Sequence, residues 1–222
     1  RVDALHQTLA QKHQVHICGA SASVRSNLGE RPVNRAKFFS PDGGSTYQDK
    51  LIMTRFEREE WDIIAGQDLN VFETALGTIG IIICYDSEFP LIARSMVESG
   101  AEILLCPSVT ETYAGYTRVK TGCMARALEN QCVVAHAPLV GEAKWIEAAD
   151  ISIGAAGIYG PPDTGFPETG ILSMGELDKP GWVYAEFSLA QIRNARKNGT
   201  VLNHAHWQEQ DERLQKVRSV RL

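Results

Sequence analysis

A thiol at the end of an apolar run is the first feature of this sequence that could do chemistry. The stretch IIICYDSEFP, residues 81–90, reaches Cys84 through three isoleucines and then turns polar. Pro90 and the apolar stripe that follows it predict a helix start directly afterwards. Because a helix N-terminus carries partial positive charge and free N–H groups, it lowers a thiol's pKa and holds a developing oxyanion. Cys84 is therefore a candidate nucleophile, although a cysteine that closes an apolar strand more often belongs to an inert core.

Lys50 is the second candidate, because it lies near the end of a predicted strand over residues 46–51. A lysine in such a place is ordinarily solvated. If the fold brings its ammonium group beside Cys84, the positive charge stabilises both the thiolate and a tetrahedral oxyanion. The two residues would then form a nucleophile with its electrostatic support.

Hydrophobic periodicity and turn residues predict the helices and strands that position Cys84 and Lys50. The patterns predict helices over residues 1–13, 89–100, 116–131 and 190–199, and strands over 15–24, 33–40, 46–51, 70–74, 78–86, 101–108, 132–140 and 182–189. Residues 54–68 form a predicted charged loop, and residues 154–170 form a predicted loop rich in glycine and proline. Strands and helices alternate through the middle with hairpins at both ends, which indicates a layered α/β sandwich.

The bulk composition is that of a single globular domain over residues 1–222. The 222 residues are 44% hydrophobic and 22% charged, and the net charge is −5. The negative charge argues against a nucleic-acid surface, which usually carries a basic patch. No apolar run approaches the roughly 18 residues of a membrane span, and the opening residues do not resemble a signal peptide. Residues 191–222 are expected to form a C-terminal helix and tail.

Cysteine and histidine spacing predicts neither a disulfide framework nor a metal site. The five cysteines are an odd number and lack spacing such as C-x-x-C, which indicates free thiols in a reducing compartment, hence a cytoplasmic protein. Residues 13–18 hold two histidines and a cysteine, and residues 204–206 hold two histidines. Core, helix-end and tail roles are favoured over metal binding for both groups. We expect no metal and no cofactor.

Three stretches then resemble a known family. KLIMTRFEREEW, GIIICYDSEFP and RALENQ, in this order and spacing, are similar to the nitrilase superfamily of carbon–nitrogen hydrolases. The most specific piece is the block that runs from Cys84 to Pro90. The resemblance implies a four-layer α-β-β-α sandwich, often paired into a homodimer or larger homo-oligomer through its outer helices. It also implies a framework role for Glu129.

The resemblance implies that Cys84 attacks the carbon of an amide or nitrile and forms a thioester or thioimidate. Lys50 and the backbone N–H of Tyr85 would hold the negative charge that develops. Many members have a second glutamate between the lysine and the cysteine. Glu57 is the best match, with Glu59 and Glu60 as alternatives and a solvated loop as the ordinary interpretation.

Two departures from the family pattern bear on the site. Leu91 stands where many members have a glutamate, so Glu88 is expected to take part of that role, and Tyr113 is a candidate for the wall of the substrate pocket. The family's general-base glutamate lies upstream of the helix that begins here at Arg1. The chain is accordingly expected to be an N-terminally incomplete carbon–nitrogen hydrolase domain.

The leading hypothesis is a hydrolase of non-peptide C–N bonds in a small linear amide, or in a nitrile or carbamoyl compound, that acts through a Cys84 thioester and releases ammonia or an amine. Its partner would be that small molecule. The alternative is an inactive nitrilase-like binding or regulatory protein that lacks the general base. A thiol-based redox protein is a weaker third hypothesis, because no second cysteine follows Cys84 within a few residues.

Overall fold

The chain folds into two β-sheets that face one another, with helices on both outer sides. The computed structural model describes residues 1–146, 149–214 and 217–221. Helix α1 packs on the first sheet, and helices α3 and α4 pack on the second. The layers therefore follow the expected order, α-β-β-α.

The first sheet is built around one long central strand. Its strands are β1 (Ile17–Cys18), β2 (Ala22–Val24), β3 (Val33–Phe39) and β4 (Ser45–Asp49). Strands β1 and β2 both pair antiparallel with β3, and β4 pairs antiparallel with β3 as the predicted hairpin. The expected single strand over residues 15–24 is thus two short strands, and Lys50 lies one residue beyond β4.

The second sheet has the order β12-β11-β8-β7-β6-β5. Its strands are β5 (Val71–Thr74), β6 (Gly77–Ile81), β7 (Ile103–Ser108), β8 (Val133–Pro138), β11 (Gly157–Tyr159) and β12 (Ile171–Met174), while β9 (Gly141–Glu142) and β10 (Ile151–Ser152) form a separate hairpin. Strands β6, β7 and β8 run parallel. The carboxyl ends of β6 and β7 therefore lie side by side, and the chain leaves them at Cys84 and Val109.

The helices are α1 (Val2–His13), α2 (Arg55–Glu59), α3 (Pro90–Glu98), α4 (Tyr113–Asn130), α5 (Leu189–Asn198), α6 (Asn203–His206) and α7 (Glu209–Arg213). Pro90 occupies the first turn of α3, where its missing N–H costs nothing. The Thr112 side chain accepts a hydrogen bond from the Gly115 N–H and caps α4. Within the described residues, no helix is long and apolar enough to cross a membrane.

Two apolar cores hold the layers together. One lies between the sheets and contains Phe38, Phe72 and Ile81. The other lies between the second sheet and helices α3 and α4, and it contains Met96 and Leu104. Both cores lie against Cys84, which places the candidate nucleophile where the layers meet.

Several sequence predictions about local structure were wrong. Residues 55–59, expected to be loop, form helix α2, because Thr54 and Glu57 make a reciprocal capping box at its start. The predicted loop over residues 154–170 contains strand β11. The helix predicted over residues 116–131 begins earlier, at Tyr113, because Thr112 caps it there.

The predicted strand over residues 182–189 does not form a ladder among the described residues. Side chains there still alternate between more and less exposed positions, and Trp182 is 86% exposed. Alternation reports only that one side of a segment faces the core. A strand also requires a hydrogen-bonded neighbour, which the pattern cannot supply.

Candidate active site

Cys84 lies at the sharp bend where the chain leaves the second sheet. Strand β6 ends at Ile81, and a 3-10 helix runs from Cys84 to Glu88. Cys84 has a positive φ of 49°, which is uncommon for a residue with a Cβ and typical of functional sites. The Ser87 hydroxyl donates to the Cys84 carbonyl at 2.7 Å and stabilises the bend. The predicted helix over residues 89–100 thus begins after this short intervening turn.

The Cys84 thiol is partly exposed and is neutral at pH 7. Its Sγ donates to the Val109 carbonyl at 3.5 Å. Burial raises the pKa of the Cys84 thiol to about 11, against the lowering effect of the Lys50 charge. Nucleophilic attack by this thiol therefore requires a base to take its proton.

Lys50 and Glu57 form a buried ion pair beside this thiol. The Lys50 Nζ lies 2.5 Å from Glu57 Oε2, and the two side chains are 2% and 7% exposed. Burial by itself would raise the pKa of Glu57, but the Lys50 charge and hydrogen bonds from Lys50, Thr54 and Asn34 lower it below its usual value. Both charges act on Cys84, with Lys50 lowering its pKa and Glu57 raising it.

The local chain path explains how Lys50 reaches the interior. Its N–H donates to the Asn34 carbonyl at 2.8 Å, and its own carbonyl accepts from the Gly66 N–H at 2.9 Å. A Cβ at Gly66 would lie 2.5 Å from the Asp49 Cβ. Glycine is thus required for the close approach of the two backbones that holds Lys50.

Asp86 is a site residue that the sequence analysis missed. Its carboxylate accepts hydrogen bonds from the backbone N–H groups of Leu51, Ile52 and Ile83, with the shortest, from Ile52, at 2.8 Å. Burial raises its pKa to about 6 despite these hydrogen bonds and the Lys50 charge. Asp86 therefore ties the segment that follows Lys50 to the bend that carries Cys84. The position of Asp86 two residues after Cys84 is the feature of the sequence that could have identified it as a site residue.

The three candidate second glutamates occupy different environments. Glu57 pairs with Lys50, whereas Glu59 pairs with Arg55 at the surface and Glu60 is exposed at the end of α2. The geometry brings Glu57 to the candidate site and leaves the other two outside it.

The remaining candidates lie outside the buried group of Lys50, Glu57 and Asp86, with Tyr85 and Glu88 in the 3-10 helix that follows Cys84. The Tyr85 ring packs edge-on against Phe89, with ring centroids 4.9 Å apart. Glu88 pairs with Arg118 of α4 at 3.4 Å. Tyr113 is 61% exposed in the first turn of α4, so the structure places it at the surface rather than within the buried group.

Glu129 supports the same bend from below. It pairs with Arg126 at 2.7 Å, and the Arg126 guanidinium donates to the Ser87 carbonyl at 3.2 Å.

All five cysteines are free. Across the described ranges, no three histidine, cysteine or acidic side chains are grouped so that they could hold a metal ion.

Comparison with known proteins identifies the family. The carbon–nitrogen hydrolase family model matches residues 3–197. The probable hydrolase YhcX of Bacillus subtilis is 38% identical over 198 residues, which are 89% of this chain and 38% of that protein. A deaminated glutathione amidase of Bos taurus is 31% identical over 148 residues, which are 66% of this chain and 42% of that protein. The chain thus spans about two fifths of the length of these relatives.

A solved structure agrees with the fold. Saccharomyces cerevisiae Nit3, a member of branch 10 of the nitrilase superfamily, superposes with a TM-score of 0.73 at 21% identity and covers 86% of this chain and 66% of its own. This likeness confirms the α/β architecture expected from the resemblance. Because the family model matches most of the chain, the chain belongs to the carbon–nitrogen hydrolase family.

Proposed function

We propose that this chain carries the nucleophile and the electrostatic support of an enzyme that hydrolyses a small linear amide through a Cys84 thioester. The observation that carries the proposal is the buried Lys50–Glu57 pair whose charges act on the thiol. A buried lysine paired at 2.5 Å to a carboxylate is costly, and such pairs are often retained for function.

In the proposed reaction, Cys84 Sγ attacks the carbonyl carbon after a base removes its proton. Lys50 and the Tyr85 N–H stabilise the oxyanion. The C–N bond then breaks, and the amine leaves with a proton. Water hydrolyses the resulting thioester to the carboxylic acid and restores the thiol.

The mechanism requires a base that removes the proton from Cys84 Sγ. Because burial raises the pKa of the Cys84 thiol to about 11, only a small fraction of the thiol is ionised at pH 7. Glu57 is already engaged, because Oε1 accepts from Asn34 and Oε2 accepts from Lys50 and Thr54. We therefore assign Glu57 to holding and orienting Lys50, and a separate carboxylate to the proton transfer.

An amide is favoured over a nitrile as the substrate class by the names of the relatives. Several matching proteins are deaminated glutathione amidases, including the bovine one. Deaminated glutathione is accordingly the first compound to test, alongside short aliphatic amides, carbamoyl compounds and nitriles. Amine or ammonia release and the acid product are both measured.

The decisive comparison is Cys84→Ala against Cys18→Ser, which alters another partly exposed cysteine outside the proposed site. We expect turnover to be abolished in Cys84→Ala and retained in Cys18→Ser, with circular dichroism unchanged in both. Full turnover by Cys84→Ala of a substrate that the parent protein hydrolyses would refute the proposal.

A second candidate function is a non-catalytic member that binds an acyl compound. It is favoured by the neutral thiol and by the full engagement of Glu57. Intact mass after incubation with an activated acyl ester separates the two functions. A Cys84 acyl adduct that water then releases supports the hydrolase, whereas reversible binding without an adduct supports the binding protein.

A further inference from the structure

A buried serine–histidine pair lies directly beneath the segment that contacts the thiol. Ser108 Oγ and His136 Nε2 are 2.8 Å apart, and the two residues are 7% and 2% exposed. Neither residue belongs to the group of Cys84, Lys50, Glu57 and Asp86. The role proposed above for that group does not account for the buried hydrogen bond between Ser108 and His136.

The sheet register explains why the two side chains meet. Strands β7 and β8 run parallel with Cys106 opposite His136, so Ser108 lies on the same face two residues further along. The Tyr116 ring of α4 covers the imidazole, with ring centroids 6.0 Å apart and planes within 14°. The ring is thus held by the sheet on one side and by a helix on the other.

The imidazole is a neutral hydrogen-bonding group in this setting. Burial, with a smaller effect of the Lys120 charge, lowers the pKa of His136 to about 4. Its Nδ1 is buried without a hydrogen-bond partner in the described part of the chain. The contact with Ser108 is therefore the polar interaction that sets the orientation of the ring.

Ser108 connects this pair to the nucleophile through one peptide. The next residue, Val109, accepts the hydrogen bond from Cys84 Sγ at 3.5 Å. On the far side, Thr110 is held by Ile153, with hydrogen bonds of 2.8 and 2.9 Å in the two directions. The Val109 peptide is thereby fixed between two anchored residues.

We propose that His136 is a positioning residue which, through Ser108, holds the Val109 backbone against Cys84 and so sets the reactivity of the thiol. The pair does not touch the reacting atoms. This inference rests on the proposed role of Cys84 as the nucleophile, and its test measures the thiol itself without any substrate.

The test compares alkylation of Cys84 by iodoacetamide between pH 6 and 10, followed by peptide mass mapping in a Cys18→Ser background. The variants are His136→Ala and Ser108→Ala, which each remove one side of the pair. His136→Gln keeps a hydrogen-bonding nitrogen, and His13→Ala alters an exposed histidine at the end of α1 as the control.

We expect His136→Ala and Ser108→Ala to speed Cys84 alkylation about tenfold at pH 8 and to move the rising limb of the pH profile to lower pH, because the Val109 carbonyl that accepts a hydrogen bond from the protonated thiol is loosened. His136→Gln should stay near the parent rate, and His13→Ala should match it. The effects of the two alanine variants should not add in the double variant.

Alkylation profiles identical to the parent in Ser108→Ala and in a folded His136→Ala would overturn the inference. If His136→Ala does not fold, Ser108→Ala and His136→Gln decide the question. A protein that hydrolyses amides but shows no effect of Ser108→Ala refutes the positioning role alone. A protein that shows the effect but forms no acyl-enzyme refutes the hydrolase alone.

Discussion

At the scale of single residues, the site depends on charges that are held out of water. Lys50 and Glu57 compensate one another, and Thr54 and Asn34 satisfy the remaining oxygen sites of the carboxylate. Removing one partner of a buried pair leaves an uncompensated charge, which costs far more than the net strength of the pair. The pair should therefore behave as a unit.

Lys50→Met tests whether Lys50 and Glu57 stabilise the folded protein as a unit. Because it leaves the Glu57 carboxylate buried without its cation, we expect a loss of about 3–5 kcal/mol in the free energy of unfolding. The double variant Lys50→Met/Glu57→Gln should lose less than Lys50→Met alone, since the buried charge is gone. Urea unfolding of the parent, both single variants and the double variant measures the coupling. Additive losses would show that the two groups do not interact.

The titration of the Asp86 carboxyl group should make the free energy of unfolding depend on pH. Its folded pKa of about 6 lies above the ordinary value of 3.8, so between these values the folded state binds its proton more tightly than the unfolded state does. The contribution of Asp86 is therefore present at pH 4 and is lost as the pH rises through 6.

The variant Asp86→Asn isolates this effect. The parent should lose about 2–3 kcal/mol of unfolding free energy relative to Asp86→Asn between pH 4 and pH 7. Urea unfolding of both proteins at several pH values gives the difference. A difference that is independent of pH would mean that Asp86 titrates normally in the folded protein.

At the scale of elements, helix α4 and the Cys84 bend approach so closely that no side chain fits between them. A Cβ on Gly122 would lie 2.7 Å from the Ser87 carbonyl oxygen. Ser87 in turn donates its hydroxyl hydrogen bond to the Cys84 carbonyl. The absence of a side chain at Gly122 therefore determines where the bend can lie.

Gly122→Ala should destabilise the protein by about 1–3 kcal/mol through overpacking, although alanine is the better helix former. The same change should alter the rate of Cys84 alkylation, because Ser87 must move. Gly181→Ala, where a Cβ meets nothing within 4 Å, is the matched control. Thermal unfolding and alkylation of both variants give the comparison. A stabilised Gly122→Ala would show that α4 shifts away freely.

At the scale of the whole molecule, Gln131 makes several of the hydrogen bonds that join the C-terminal helices to the domain, beside ion pairs such as that of Arg193 with Glu102. Gln131 Nε2 donates to the carbonyls of Ala195 and Val201, both at 3.0 Å, and Gln131 Oε1 accepts from the His204 N–H at 3.1 Å. Gln131 is 1% exposed. The described residues after 191 thus begin with helices that pack on the domain.

Gln131→Leu should weaken this connection. The Ala195 carbonyl that loses its donor belongs to a buried residue, so we expect a loss of about 1–3 kcal/mol and faster amide hydrogen exchange across α5 and α6. Gln67→Leu, at an exposed position, controls for the substitution itself. Unchanged exchange in α5 and α6 would mean that apolar packing and the contacts of Arg193 and Arg196 hold these helices without Gln131.

The sequence by itself determined the order of the main elements and the candidate nucleophile. Clear hydrophobic periodicity and turn residues mark helices α1, α3 and α4 and the strands that flank Cys84. Each such pattern is local, because it records which face of one element is buried. The motif around Cys84 also carried the resemblance to the family, which the family match over residues 3–197 confirms.

Only the tertiary structure decided which side chains meet. Helix α2 is five residues long, too short to show a period, yet it turns Glu57 onto Lys50. Asp86 and the Ser108–His136 pair became apparent only once chain paths and strand register were known. Periodicity describes burial within an element, whereas hydrogen bonds between elements depend on how loops return and how strands align, and no local pattern encodes that.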